Sequence, residues 1–248
     1  MNPKKNFLGH LDDLSKSLMK SMVAILIGVV ASFAFAPKLF RIICLPYNNL
    51  LVDLGLAEAT TTNYIKSLSP SETLLISLKL VFIMSLILAA PVILYQLWKF
   101  ISPGLTTKER RSLWVVFCVS PFFFAAGAAF AYFVVFPLGV RFLWNYTIHM
   151  GAYPDWTVGY YVNFAIGFLC AFGVAFELPV VIVLLSKLRL VTPQALASKR
   201  RYAILIIFIV AAILTPPDVI SQVLLGVPMI FLYELSILMS RLVYRGKL

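Results

Sequence analysis

The chain has 248 residues, 61% of them apolar and only 12% charged, where a soluble domain carries roughly 25% charged residues. That excludes an ordinary soluble domain, and the formal net charge of +11 does not indicate a nucleic-acid binder, because the cations cluster in short segments between apolar runs, as positive-inside topology demands. Cys44, Cys118 and Cys170 are widely spaced without a CxxC, and His10 and His149 lie far apart, so neither a metal or cofactor site nor a disulfide framework is expected.

Residues 1–20 are basic and amphipathic. Leu8, Leu11, Leu14 and Leu18 recur at helical spacing and share one stripe. His10, Asp12, Asp13 and Ser15 lie between them. Asp12 and Asp13, two of only ten acids, fit two descriptions: a solvated helix face with Asp13 paired to Lys16 or Ser17, or a carboxylate held just above the bilayer. Lys4, Lys5, the apolar run from Met22 and Ala34-Phe35-Ala36 have the outline of a secretory signal peptide. Pro37 follows at once, however, and more apolar runs come after it, so a retained first span is expected at about 21–36.

A longer outer connection, 37–70, carries Pro46, Asp53, Gly55 and Glu58. Ser69-Pro70-Ser71-Glu72 reads as a capping box, with Ser69 as N-cap, Pro70 at the first helical position and Glu72 at the third. It opens span 2, at about 70–98. Lys79 lies near the outer end of that span, within reach of the interface by snorkelling. Pro91 removes one helical hydrogen bond and predicts a kink. Trp98 and Phe100 suit the water–lipid boundary, and Ser102-Pro103-Gly104 predicts a turn. Lys99, Lys108, Arg110 and Arg111 mark a loop kept on the cytoplasmic side, with one carboxylate, Glu109, among them.

Span 3 is expected at about 112–136, with Gly127 flanked by alanines in a strip suited to close helix packing. The stretch 137–158, with Arg141, Trp144, Asp155 and Trp156, reads as an aromatic outer connection lying partly along the interface. Span 4, about 159–186, contains Glu177 deep in its apolar run, followed by Pro179. An acid at a helix centre costs roughly 2.5–3.5 kcal/mol to insert. Either a hydroxyl or amide satisfies it inside the bundle, or it is a contact point for a partner helix.

Lys187, Arg189, Lys199, Arg200 and Arg201 mark the next loop as cytoplasmic. Span 5, about 202–214, rises only about 20 Å against a hydrocarbon core of about 30 Å. Thr215-Pro216-Pro217-Asp218 predicts a tight outer turn into span 6, about 219–239. This short hairpin must thin the bilayer or lean on other helices. Sixteen of the 21 Lys and Arg residues fall in the N-terminal segment, the 2–3 loop, the 4–5 loop and the tail. The expected fold is therefore an all-α polytopic membrane protein with six transmembrane helices, helices 5 and 6 short, and both termini cytoplasmic. No internal repeat is visible, which speaks against an inverted-repeat transporter.

Five stretches carry a family resemblance: Ala90–Phe100 (APVILYQLWKF), Lys108-Glu109-Arg110-Arg111, Phe130–Leu138 (FAYFVVFPL), Ala171–Pro179 (AFGVAFELP) and Thr215–Gln222 (TPPDVISQ). With them the chain resembles, over nearly its whole length, the TatC family, multispanning receptors of the twin-arginine protein translocase. The resemblance implies a receptor, not an enzyme, in a bacterial-type cytoplasmic membrane or its archaeal or organellar equivalent. Such a receptor binds twin-arginine signal peptides of folded cargo at its cytoplasmic face. It recruits single-span TatA- and TatB-type subunits, self-associates in the complex, and draws transport energy from the proton-motive force without a cofactor. The implied signal-peptide residues are Asp13 and His10 in the N-terminal motif, and Glu109, Phe100, Leu105 and Arg111 around the 2–3 loop. The implied partner-subunit contacts are Glu177, Leu214, Gln222, Asp218 and Pro46. The N-terminal motif departs from the family pattern: Asp13 and Ser15 stand where Glu and Arg are usual, so the carboxylate is shorter and one cation is missing. A rival reading, a small proton- or ion-coupled transporter with Glu177 as coupling site, predicts solute-dependent proton flux by the chain alone. An intramembrane hydrolase would need a nucleophile–base pair or a second deep acid, and Glu177 has no evident mate.

Overall fold

The computed structural model describes residues 7–56, 65–102, 107–214 and 219–245. Among these the chain forms helices without strands: α1 (Phe7–Phe33), α2 (Ala36–Asp53), α3 (Pro70–Ile101), α4 (Thr107–Phe130), α5 (Phe136–His149), α6 (Val158–Lys187), α7 (Pro193–Ser198), α8 (Arg200–Leu214) and α9 (Val219–Arg245). Five stretches are long and apolar enough to cross a bilayer: Leu14–Phe33, Pro70–Phe100, Trp114–His149, Val158–Lys187 and Val219–Val243. The sixth, α8, has 15 residues and falls short of the span length that hydrocarbon demands.

Two expected connections are helical instead. Residues 36–53 of the first outer connection form α2. Pro37 sits in its first turn, where a missing N–H costs nothing, and Cys44, Tyr47, Leu50 and Leu51 form its buried stripe. The second correction concerns 137–158. Span 3 does not stop at Phe136 but continues through a π-helical turn, Ala131–Val135, into α5. Pro137 explains the π turn: it has no N–H to give Phe133, and its ring would strike that carbonyl in a regular helix. Widening the helix by one residue absorbs the conflict.

α2 and the π turn satisfy each other. Pro46 lies inside α2 and leaves the Ile42 carbonyl without its helical donor. The Tyr132 hydroxyl, from the π turn, donates to that carbonyl at 2.6 Å, and the Tyr161 hydroxyl donates to Ile43 O at 3.0 Å. Tyr132→Phe is therefore expected to lower stability by about 1 kcal/mol. The loss should shrink when Pro46→Ala restores the missing N–H. Thermal unfolding of the four proteins in one detergent checks this, and equal losses in both backgrounds would contradict it.

The rest of this end of the bundle is an aromatic and polar cap. Tyr47 touches Trp144, Trp156 and Tyr161, with ring centroids 5.4–6.1 Å apart, and burial pushes its phenol pKa up to about 12. The capping box forms as expected: Ser69 Oγ accepts from Glu72 N at 3.2 Å. The Glu72 carboxylate does more than close the box. It accepts from Leu68 N at 2.7 Å and from Gly159 N at 2.7 Å, so one side chain ties the start of α3 to the start of α6. Lys66 pairs with Asp155 at 2.8 Å, and that carboxylate raises the lysine's pKa.

α6 is the central post, packed on α3, α4 and α9. Its crossing with α4 is tight because Gly127 has no side chain: a Cβ there would lie 2.5 Å from Phe172 O and 2.8 Å from Phe176 Cβ. The glycine–alanine strip thus works as its composition predicts.

Candidate functional site

The opposite end of the bundle gathers the end of α3, the start of α4 and the α6–α7 connection with the start of α1 and the end of α9. α1 and α3 run antiparallel and cross at Gly28, where a Cβ would lie 2.9 Å from Ser85 O. Fifteen residues back along α1 and fifteen forward along α3 from that crossing bring Asp13 level with Phe100. Six residues past the end of α3, α4 begins, and Glu109 and Arg111 lie in its first turns. His10 and Asp13 are both on α1. The fold thus brings the backbones of His10, Asp13, Phe100, Glu109 and Arg111 to one end of the bundle. The side chains of His10, Asp13, Glu109 and Arg111 lie outside the described residues, as does the whole of Leu105. Asp12, one position before Asp13, pairs with Lys16 at 2.6 Å.

What fixes α4 against α3 is aromatic. Trp98, expected at the lipid boundary, is instead buried within the protein. Its ring lies 5.3 Å from Trp114 and 5.5 Å from Phe117. Trp98 lies four residues before the α3–α4 connection and Trp114 eight after it, a spacing that does not by itself mark the pair. Phe100, two residues on, is half-buried.

The next connection is pinned to α9. Thr192 caps α7 by accepting from Ala195 N at 3.2 Å. The Tyr233 hydroxyl donates to Leu196 O at 2.9 Å, and Arg200 pairs with Glu234 at 2.8 Å. Ser186 and Ser240 meet at 2.7 Å between α6 and α9.

Glu177 lies between α6 and α4, half-buried. Ser120 Oγ donates to Glu177 Oε1 at 2.7 Å, so the acid has a hydroxyl partner inside the bundle. Pro121 and Pro179 flank the pair, each withdrawing a backbone donor from its helix. Ser120 was not singled out from the sequence; a serine inside an apolar span, at a depth matching the acid, was its only mark. On the α8–α9 hairpin, the Gln222 amide donates to Phe208 O at 2.9 Å. Leu214 is the last residue of α8, its side chain outside the described residues, and Asp218 is outside them altogether. Pro46 lies at the far end, lining a cavity of about 590 Å³ between α2 and α5 beside Asp53 and Arg141, which pair with each other. Among the described residues no group of His, Cys, Asp and Glu is arranged to hold a metal ion.

The whole arrangement has known counterparts. Residues 9–228 match the family described as Sec-independent protein translocase protein (TatC). The chain is 42% identical over 243 residues to the Sec-independent protein translocase protein TatC of Halothiobacillus neapolitanus, covering 98% of this chain and 64% of that longer protein. It is 40% identical over 239 residues to the TatC of Aquifex aeolicus, covering 96% and 95% of the two chains. It superposes with a TM-score of 0.76 on a crystal structure of a twin-arginine translocase receptor, TatC, at 39% identity over 94% of this chain and 99% of the other. By fold, sequence and length of match, this chain is an integral membrane protein that belongs to the TatC family of Sec-independent protein translocase proteins.

Proposed function

We propose that the protein is the receptor and core subunit of a twin-arginine translocase. It takes twin-arginine signal peptides at the end of the bundle where α1 begins and α4 begins, with that end facing the cytoplasm. What supports the reading is membership of this family, together with the helix register: fifteen residues counted from the Gly28–Ser85 contact along α1 and along α3 reach Asp13 and Phe100. Two carboxylates on separate helices can each take one arginine through bidentate, charge-assisted hydrogen bonds, a geometry lysine cannot copy. The surrounding Lys99, Arg110 and Arg111 repel a merely basic peptide, so placement rather than bulk attraction selects the ligand. The half-buried Phe100 offers an apolar surface to the residues that follow the arginine pair, and the family resemblance assigns Leu105 to the same contact.

The same reading assigns Glu177, the α8–α9 hairpin with Leu214, Asp218 and Gln222, and Pro46 to contacts with single-span TatA- and TatB-type subunits and with other copies of this chain. Short α8 thins the apolar belt beside α9, a place where a partner helix lowers the cost of mismatch. Export of folded cargo then draws on the proton-motive force. Glu177→Ala is expected to leave signal-peptide binding unchanged and to weaken co-purification of single-span subunits about threefold or more, a loss of roughly 0.7 kcal/mol. Unchanged co-purification would leave Glu177 as an acid that merely satisfies Ser120.

Single cysteines at positions 13 and 109, probed with a membrane-impermeant thiol reagent, test the orientation. Both should react only from the cytoplasmic side. Reaction of either from the other side would overturn the receptor reading.

A further inference from the structure

We propose that the groove bounded by α2, α3, α4 and α6 holds one acyl chain of an anionic glycerophospholipid, whose phosphate sits on Lys79. The groove has a volume of about 430 Å³, and no residue lining it carries a charge. Its walls include Ile83 and Ile87 of α3 and Ile166 and Cys170 of α6, and the Tyr132 ring closes it toward α2. The Tyr132 hydroxyl is engaged by Ile42 O, so what it presents to the groove is apolar. Ile87 and Phe133 are exposed to the surroundings, which in a bilayer means lipid.

The head of the groove is polar. Lys79 Nζ donates to Asn163 Oδ1. Helical spacing puts Lys79 on the same α3 face as Ile83 and Ile87, and Asn163 on the same α6 face as Ile166 and Cys170. The two polar residues therefore stand directly above the two apolar walls, on the α2 side of the bundle. Both are exposed rather than enclosed by protein. Among the described residues no carboxylate pairs with Lys79, and its hydrogen-bond partner is a neutral amide. An ammonium inside a span needs an anion or water. Its Cα–Cβ bond leans toward the start of α3, so the side chain reaches back to the headgroup level of that leaflet. The anion found there, already attached to an apolar chain of the right orientation, is a lipid phosphate. A net anionic headgroup is favoured over a zwitterionic one because the carboxylate on the same α3 face, Glu72, is already engaged by Leu68 N and Gly159 N.

The test uses the full-length protein in phosphatidylcholine vesicles doped with phosphatidylglycerol or phosphatidylcholine bearing a photoreactive group in one acyl chain. Adducts are mapped by peptide mass spectrometry. Phosphatidylglycerol should label 80–87 and 166–170 about fivefold more than phosphatidylcholine does. Lys79→Met should reduce that preference to parity, and Lys79→Arg should keep it. Labelling of the exposed face of α1 should not distinguish the two lipids. Equal labelling of the groove by both lipids in the unmodified protein would overturn the proposal, as would a preference that survives Lys79→Met. The lipid comparison in the unmodified protein does not depend on any variant folding, and its outcome is independent of signal-peptide binding.

Discussion

Glu109→Ala is expected to abolish crosslinking of a twin-arginine signal peptide to the protein while leaving its insertion intact. A charge-assisted hydrogen-bonded pair contributes about 2–3 kcal/mol, so affinity should fall about 30-fold or more. Insertion should survive because Glu109 precedes the apolar stretch that begins at Trp114, and the α3–α4 joint is held by Trp98, Trp114 and Phe117 rather than by the acid. Glu109→Gln separates charge from shape. It keeps an acceptor oxygen but not the charge, and most of the affinity should be lost with it. Equilibrium binding of a labelled peptide to the purified protein measures both variants. Undiminished binding to Glu109→Ala would remove Glu109 from the receptor surface.

The second large effect concerns the frame that carries the site. Gly127→Ala is expected to destabilise the protein by about 1–3 kcal/mol, the usual range for overpacking. The added methyl would sit 2.5 Å from Phe172 O, a backbone atom that cannot rotate away, so α4 and α6 must separate. The Ser120–Glu177 bond at 2.7 Å spans the same pair of helices and should be lost with the contact. Gly139→Ala is the matched control. Its methyl would meet only Leu224 Cδ1, at 3.6 Å, and alanine favours a helix over glycine by about 1 kcal/mol. Thermal unfolding in a common detergent should therefore move in opposite directions for the two variants. A shared direction would mean that the α4–α6 crossing is looser than described.

That the chain is built of membrane-spanning helices was legible in the sequence because hydrocarbon sets the length of apolar runs and leaves the backbone no alternative to a helix, but their bounds were not: the first apolar stretch is Leu14–Phe33 rather than 21–36, and the third runs on to His149 rather than ending at 136. Span 2 was legible to the residue at its start, because Ser69 and Glu72 carry a local signal that works without tertiary context. α2 was not legible: a helix lying over the end of a bundle buries only a narrow stripe, here Cys44 to Leu51, and its proline and polar residues read as a loop. α5 was hidden by Pro137, which normally ends a helix; only a π turn, stabilised by the contact of Tyr132 with α2, lets the chain continue. At the candidate site, the acids stood out by their rarity and through the family resemblance. Their neighbours did not. Trp98 looks like any interfacial tryptophan until Trp114 is folded against it. Ser120 and Asn163 acquire roles only through partners 57 and 84 residues away, a pairing that periodicity does not carry.

The central claim is that carboxylates on α1 and α4 grip two adjacent guanidinium groups. Binding of one leader peptide to the full-length protein in bilayers, with the pair as Arg-Arg or as Lys-Lys, measures it directly. The bidentate fork should make the arginine form bind about tenfold tighter or more at the same salt concentration. Equal affinities for the two peptides would contradict the account.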